Sequence, residues 1–224
     1  MPDYFTHTIA AEKIYEKLGG EIKHQINSKT LYLLGAQGGD TFFAYNMKFS
    51  QGNLGRALHQ LKAVDVFKKL AQGNPSYIAG YATHYALDST IHPIIYAYEE
   101  GKRSPFAHNK FEADLGLYTS KYFRIRRTIL PRDKVLACTG PIYDSLKLLE
   151  PTITVTGVER CLKRHFSYTR YLYRTKKQTY RCEYDFSSFA GVIEEAIDFG
   201  VTCIGYLLNG DIDEEVFGRD FLQR

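Results

Sequence analysis

The sequence predicts an all-α protein folded as one multi-helix bundle, and three observations carry that prediction. Apolar residues recur at helical intervals along much of the chain, and no convincing run of alternating strand pattern appears. The composition, 44% hydrophobic and 24% charged, is that of a globular chain rather than a disordered one. At 224 residues the chain can bury one sizeable core, so 1–224 reads as a single domain, with a split into two small domains the weaker alternative.

Taken in order, residues 5–18 carry Phe5, Ile9, Ala10, Ile14 and Leu18 at helical spacing and stop at Gly19-Gly20. A second helix is expected over 22–34, then a glycine-rich break at 35–41, then a third helix over 56–70 that ends near Gly73-Asn74-Pro75. Residues 76–91 are apolar on most sides (Tyr77, Ile78, Tyr81, Ala82, Tyr85, Ala86, Leu87), the pattern of a central helix enclosed by others. Pro93 should end that helix at or near His92, because a residue before proline is driven away from helical geometry. After a loop at 101–105, further helices are expected over 107–123 and 189–208, while the β-prone run 152–158 reads as a short extended connection.

No apolar run reaches the roughly 20 residues of a transmembrane helix. The start, Met1-Pro2-Asp3-Tyr4, lacks the regions of a signal peptide, so a cytoplasmic protein is expected. Cys138, Cys161, Cys182 and Cys203 are scattered with no CxxC pair, which suits reduced structural thiols. The net charge of +4 is uneven: 121–181 is strongly basic and 183–220 acidic, a balance that suits an anionic substrate or membrane surface.

The chemistry concentrates between Thr83 and Asp114. His84, Asp88 and His92 stand at i, i+4 and i+8, and His108 and Glu112 form a second i, i+4 pair. Side chains four apart leave one helix face about 5–6 Å from each other at Cβ. Each pair can therefore grip one ion, and imidazole with carboxylate is a good ligand set for zinc. Either pair alone reads more simply as a core hydrogen bond or a surface ion pair. Three of the seven histidines beside two carboxylates in register is the pattern that points to metal.

The run His84-Tyr85-Ala86-Leu87-Asp88-Ser89-Thr90-Ile91-His92-Pro93, followed by His108-Asn109-Lys110-Phe111-Glu112, resembles the HxxxD...H...HxxxE signature of the zinc-dependent phospholipase C family. That family includes the bacterial phosphatidylcholine-cleaving enzymes and is related to P1-type nucleases. Gly35-Ala36-Gln37-Gly38-Gly39-Asp40 resembles its glycine-rich aspartate loop, Thr6-His7 its N-terminal histidine, and Leu58-His59 the histidine between loop and main motif. The likeness covers roughly residues 3–120, and the helices of 121–224 would complete a bundle of the phospholipase C and P1 nuclease type. It implies one zinc on Asp40, His59, His84 and Asp88, a second on His92, His108 and Glu112, and a third on His7 with Asp88 bridging. In the family the third ion also uses the N-terminal amine and carbonyl of a chain that begins with tryptophan. This chain has no tryptophan, and Asp3 stands where it could substitute. His24 and His165 match no ligand position and are expected at the surface.

The resemblance further implies a zinc-dependent phosphodiesterase in which metal-activated water attacks phosphorus and Asp40 is the general base. The expected substrate is a phospholipid or related phosphodiester. Nuclease- or nucleotidase-like use of the same site, and a non-catalytic helical protein with structural zinc, are the alternatives. Iron or manganese would also suit mixed histidine and carboxylate ligands. Choline-selective relatives have tyrosine after the loop aspartate; here Thr41 follows Asp40, so choline selectivity is not expected. Phe42, Phe43 and Tyr45 either line a cleft or pack between helices. The basic stretches 121–134 and 160–181, the latter interleaved with Phe166, Tyr168, Tyr171 and Tyr173, read either as solvated helix faces or as contacts for lipid or nucleic-acid phosphates.

Overall fold

The computed structural model describes residues 3–45, 53–104, 106–175 and 182–222. Pro105 of the expected loop and 176–181 at the end of the second basic stretch lie outside the described residues. Among the described residues the chain forms twelve α-helices and two short 3-10 turns without a strand; an isolated bridge pairs Lys62 with Asp220. No helix among them is long and apolar enough to cross a membrane.

Helix α1 (Tyr4–Lys17) begins where the Asp3 carboxylate accepts the Thr6 N–H at 3.1 Å. The helix expected over 22–34 is two helices, α2 (Gly20–Gln25) and α3 (Lys29–Gly35). Ser28 takes up extended geometry and its hydroxyl accepts the Leu31 N–H at 3.3 Å, which starts a new helix. The helix expected over 56–70 is likewise divided into α4 (Leu54–His59), capped by Asn53, and α5 (Ala63–Leu70). The break falls where Lys62 turns extended and meets Asp220.

Helix α6 (Pro75–Glu99) opens with Asn74 as cap and Pro75 in its first turn. It does not stop at His92. Proline removes one bond, to the carbonyl of Ser89, and the buried residues Ile91, His92 and Ile95 continue the packed face beyond it, so the helix runs on through Pro93. Then follow α7 (Ala107–Tyr122), α8 (Arg132–Ala137), α9 (Thr139–Leu146), α10 (Val155–Thr175), α11 (Phe189–Asn209) and α12 (Glu214–Phe217). The run 152–158 is no extended connection, because Val155 opens α10. In that helix Val158, Cys161, Leu162, His165 and Thr169 form a buried stripe at helical spacing. His165 is therefore an interior residue, contrary to the surface position expected from sequence, whereas His24 is exposed as expected.

The core is built around α6, against which α11 and α3 pack most extensively. The α3 crossing is a backbone contact. A Cβ on Gly80 would lie 2.0 Å from the Tyr32 carbonyl oxygen, and one on Gly35 would lie 2.1 Å from that of Tyr77, so only glycine fits at both places. At a neighbouring part of α6, Phe67, Tyr85, Phe217 and Phe221 form an aromatic cluster, with Phe67 and Phe217 centroids 4.6 Å apart. One hydrophobic cluster, from Ala10 to Phe221 in chain order, thus surrounds a helix that carries His84, Asp88 and His92.

Candidate metal centre

All eight residues singled out from the sequence converge. Three groups of ligand atoms lie within 4.8 Å of one another: His7, Asp40 and His84; His59, His84 and Asp88; and His92, His108 and Glu112. Four helices and one loop supply them. α6 provides His84, Asp88 and His92 from successive turns of one face, α1 provides His7, α4 provides His59, and α7 provides His108 and Glu112. Asp40 comes from the 3-10 turn after α3. Gly38 makes that approach possible: its φ is +45°, and a Cβ there would lie 2.0 Å from the His84 ring.

The first two groups share His84 and lie around the Asp88 carboxylate. His59 Nε2 is 3.2 Å from His84 Nε2, 3.3 Å from Asp40 Oδ1 and 3.5 Å from Asp88 Oδ2, and His84 Nε2 is 3.4 Å from Asp88 Oδ2. Zinc–ligand bonds of about 2.0–2.1 Å in a tetrahedron give ligand–ligand edges of about 3.3 Å. These four edges match that figure, whereas His84 meets Asp40 through its other ring nitrogen, Nδ1, at 3.8 Å. His7 Nε2 lies 3.3 Å from Asp88 Oδ1 and 3.9 Å from Asp40 Oδ2, on the other side of the same carboxylates. In the third group His108 Nε2 is 2.8 Å from Glu112 Oε1, and His92 Nε2 is 3.9 Å from that oxygen.

Unused lone pairs argue in the same direction. Among the described residues, His7 Nδ1, both Asp40 oxygens, His84 Nδ1, Asp88 Oδ2 and Glu112 Oε2 are buried with no hydrogen-bond partner. Buried polar groups are seldom left so, and several carboxylates close together need positive charge. Asp3, Asp40, Asp88 and Glu112 are all at most 4% exposed, and Asp3, His7, Asp88, His92 and Glu112 line one small cavity that joins the groups. The residues present fit divalent cations. Asp3, however, spends its Oδ2 on capping α1, and it belongs to none of the three groups; its expected use in place of the terminal amine is not what this geometry favours.

A second layer orients the imidazoles. His59 Nδ1 donates to the Gly55 carbonyl at 2.7 Å and His92 Nδ1 to the Asp88 carbonyl at 3.1 Å, since a carbonyl only accepts. His108 Nδ1 faces the Glu99 carboxylate at 3.1 Å. In each ring this leaves Nε2 turned to the cluster, the arrangement by which outer partners fix a ligand histidine's tautomer. The protonation balance follows from the same contacts. Burial opposes charge on His59, but Asp40 and Asp88 outweigh it and push its pKa up to about 10. His84 is enclosed so completely that burial lowers it to about 4 despite the carboxylates. Asp40 and Asp88, which burial alone would raise, are held below the usual carboxylate range by the surrounding histidines.

Two residues of this region escaped the sequence reading. Glu99 lies seven residues beyond His92, on the same face of α6, and the expected stop at Pro93 hid that relation. His165 fits the apolar spacing of α10, and it was hidden because the basic stretch 160–181 was read for its charged face and not for a buried one. Its two ring nitrogens and the Thr169 hydroxyl are buried without hydrogen-bond partners among the described residues, beside the Tyr4 ring.

Fold and site together define an all-α protein with histidine and carboxylate groups able to hold metal ions. No protein-family model, no curated protein and no solved structure matches the chain.

Proposed function

We propose that the chain is a zinc-dependent phosphoric ester hydrolase of the phospholipase C type, acting on a phospholipid or related phosphodiester. The observation that carries the reading is the set of ligand–ligand edges around His59 and His84, 3.2–3.5 Å, on residues that recur in the order of that family's motif. Asp40, His59, His84 and Asp88 hold one ion and His92, His108 and Glu112 a second, while His7 and Asp88 offer a third position. Zinc in such sites neutralises charge on phosphoryl oxygens and lowers the pKa of a bound water toward neutrality. The chain's own part is to aim and to move a proton. The outer hydrogen bonds on His59, His92 and His108 hold the imidazoles in place, and the apolar walls of Leu87, Ile91, Ile95 and Leu115 keep bulk water from the cavity. Asp40, which the surrounding histidines hold ionised, would take the proton of the attacking water.

One observation favours a second reading, zinc as a structural clamp: every proposed ligand except His108 is buried. A paired experiment separates the two. Elemental analysis of the purified protein is expected to find two or three zinc ions per chain, and hydrolysis of bis(p-nitrophenyl) phosphate is expected to stop on chelation and return with zinc. Asp40→Asn should lower turnover by roughly 10²-fold or more. Zinc without turnover on any phosphodiester would favour the clamp, and a protein that binds no divalent metal would sink both readings.

A further inference from the structure

Helix α10 turns a buried stripe toward the core and leaves an unusual opposite face. Arg160, Lys163, Arg164 and Arg170 are exposed on it together with Tyr171, which is 62% exposed, and Tyr168 stands partly exposed at its edge. Large aromatic side chains left in water on a cationic helix need an explanation, because burial of each would be favourable. The arrangement on the helix is ordered. Arg160, Arg164, Tyr168 and Tyr171 follow at intervals of four, four and three residues, so they form one continuous strip. Arg164 is held in the strip by a hydrogen bond from Nη1 to the Ala44 carbonyl at 3.1 Å, and Ala44 lies four residues after Asp40.

The other basic stretch folds against the same helix. Ile129, Leu130 and Val135 share a small cavity with His165, Phe166 and Thr169 of α10. The Arg127 guanidinium lies over the Phe5 ring at 5.2 Å, and Phe5 in turn packs on Tyr173 at 6.0 Å. Residues 121–134 and 160–171 together hold ten lysines and arginines and one acid, Asp133, in a chain whose net charge is only +4. Lys163 is answered by Glu159. The rest of the chain, with nineteen lysines and arginines against twenty-four acids, is therefore net acidic, and the net positive charge lies in these two stretches.

The inner side of α10 lies on the helix that carries His7. Tyr4 and Phe5, which α10 covers, are the first turn of the helix that carries His7.

We propose that the strip on α10, with the basic arm 121–134 beside it, docks the protein on the surface of an anionic phospholipid bilayer. The proposal rests on the phosphodiesterase reading for its purpose and on charge complementarity for its occupant. Arginine and lysine near an anionic leaflet draw the protein down, and tyrosines settle at headgroup depth, where one end of the ring is apolar and the other wet. A bilayer is favoured over a nucleic acid because Tyr171 stands outward among the cations of the strip, at 62% exposure, where the headgroup layer takes up an aromatic ring with one apolar and one wet end.

Vesicle flotation tests it with the whole protein. Binding is expected to vesicles of phosphatidylcholine mixed with phosphatidylglycerol, to weaken as salt rises, and to be much weaker to phosphatidylcholine alone. The double variant Arg160→Glu/Arg170→Glu should lose about thirtyfold or more in affinity for the mixed vesicles, and Tyr168→Ser/Tyr171→Ser should lose binding that salt does not restore. Lys68→Glu/Lys69→Glu, on exposed positions of α5, is the control and should bind as the parent does. Circular dichroism and zinc content, matched to the parent, exclude misfolding of the variants. Equal binding to neutral and anionic vesicles, or full binding by the α10 variants, would overturn the proposal, and so would an oligonucleotide bound through the same residues with vesicles ignored. Flotation reads binding rather than turnover. A protein that docks by these residues but hydrolyses nothing would leave the docking strip standing and sink the phospholipase reading alone.

Discussion

Replacing Glu99 asks how much of the grip on one ion comes from a residue that is not a ligand. Glu99 Oε2 lies 3.1 Å from His108 Nδ1, while His108 Nε2 faces Glu112 at 2.8 Å. Glu99→Gln keeps an acceptor oxygen within reach and removes the charge, whereas Glu99→Ala removes both. Outer partners of ligand histidines typically contribute 10–100-fold in metal affinity, or about 1.4–2.7 kcal/mol. The Glu99 side chain is 31% exposed, so water screens part of its charge and the lower end of that range applies. Alanine should therefore raise the zinc dissociation constant of the His92, His108 and Glu112 group about tenfold, and glutamine about threefold. Chelator competition at neutral pH, with zinc per chain counted at each step, measures both. The weaker-held ion should be the only one affected, because His59 and His84 draw their support from elsewhere. Wild-type affinity in Glu99→Ala, in a protein where His108→Ala does lose an ion, would refute the reasoning about the outer carboxylate; a protein with no zinc to lose would refute the metal reading instead.

Three other outcomes follow from the same structure. Asp88→Asn should release the ion between His59 and His84 while the one at His92, His108 and Glu112 stays, which elemental analysis of the purified variant reads directly. Gly80→Ala would drive a methyl into the Tyr32 carbonyl, a backbone atom that cannot swing away, and should cost about 3 kcal/mol in urea denaturation, the upper end for overpacking. Burial pushes the His165 pKa down from 6.5 to about 4, so the unfolded chain takes up this proton first as pH falls. Stability is therefore lost between about pH 6.5 and 4, by up to about 3 kcal/mol from this group. His165→Leu should become more stable relative to the parent across that window, and parallel pH profiles for the two proteins would contradict the assignment.

Helix class and the ligand pattern were legible because both rest on local spacing. The apolar periods of 5–18, 107–123 and 189–208 reappear as α1, α7 and α11 within a residue or two at each end, since nothing in those runs competes with the helix. The misreadings have causes that can be named. Ser28 and Lys62 divide what looked like single helices, one through a hydroxyl cap and the other through a pairing with a residue far along the chain. Pro93 was read as a terminator because its own preferences are strong; what overrides them is tertiary packing of Ile91, His92 and Ile95, which sequence spacing does not display. The charges of α10 masked an amphipathic helix whose buried stripe includes a histidine. Asp40 illustrates the opposite case. Its place in a glycine-rich turn gave no geometric hint of a partner, yet the turn folds onto His84 because Gly38 can adopt a left-handed backbone.

The continuous course of α6 through Pro93 makes the helix a ruler. His84, Asp88 and His92 are each one turn apart on a single rod, and an α-helix advances about 5.4 Å per turn. The spacing between the group built on His84 and Asp88 and the group built on His92 is thus set by backbone hydrogen bonds, not by the lengths of loops. Changes in loop length elsewhere in the chain would leave that interval alone. A single residue inserted between Asp88 and His92 would instead swing the distal histidine about 100° around the axis, and the two ligand groups would no longer lie on one face of the helix.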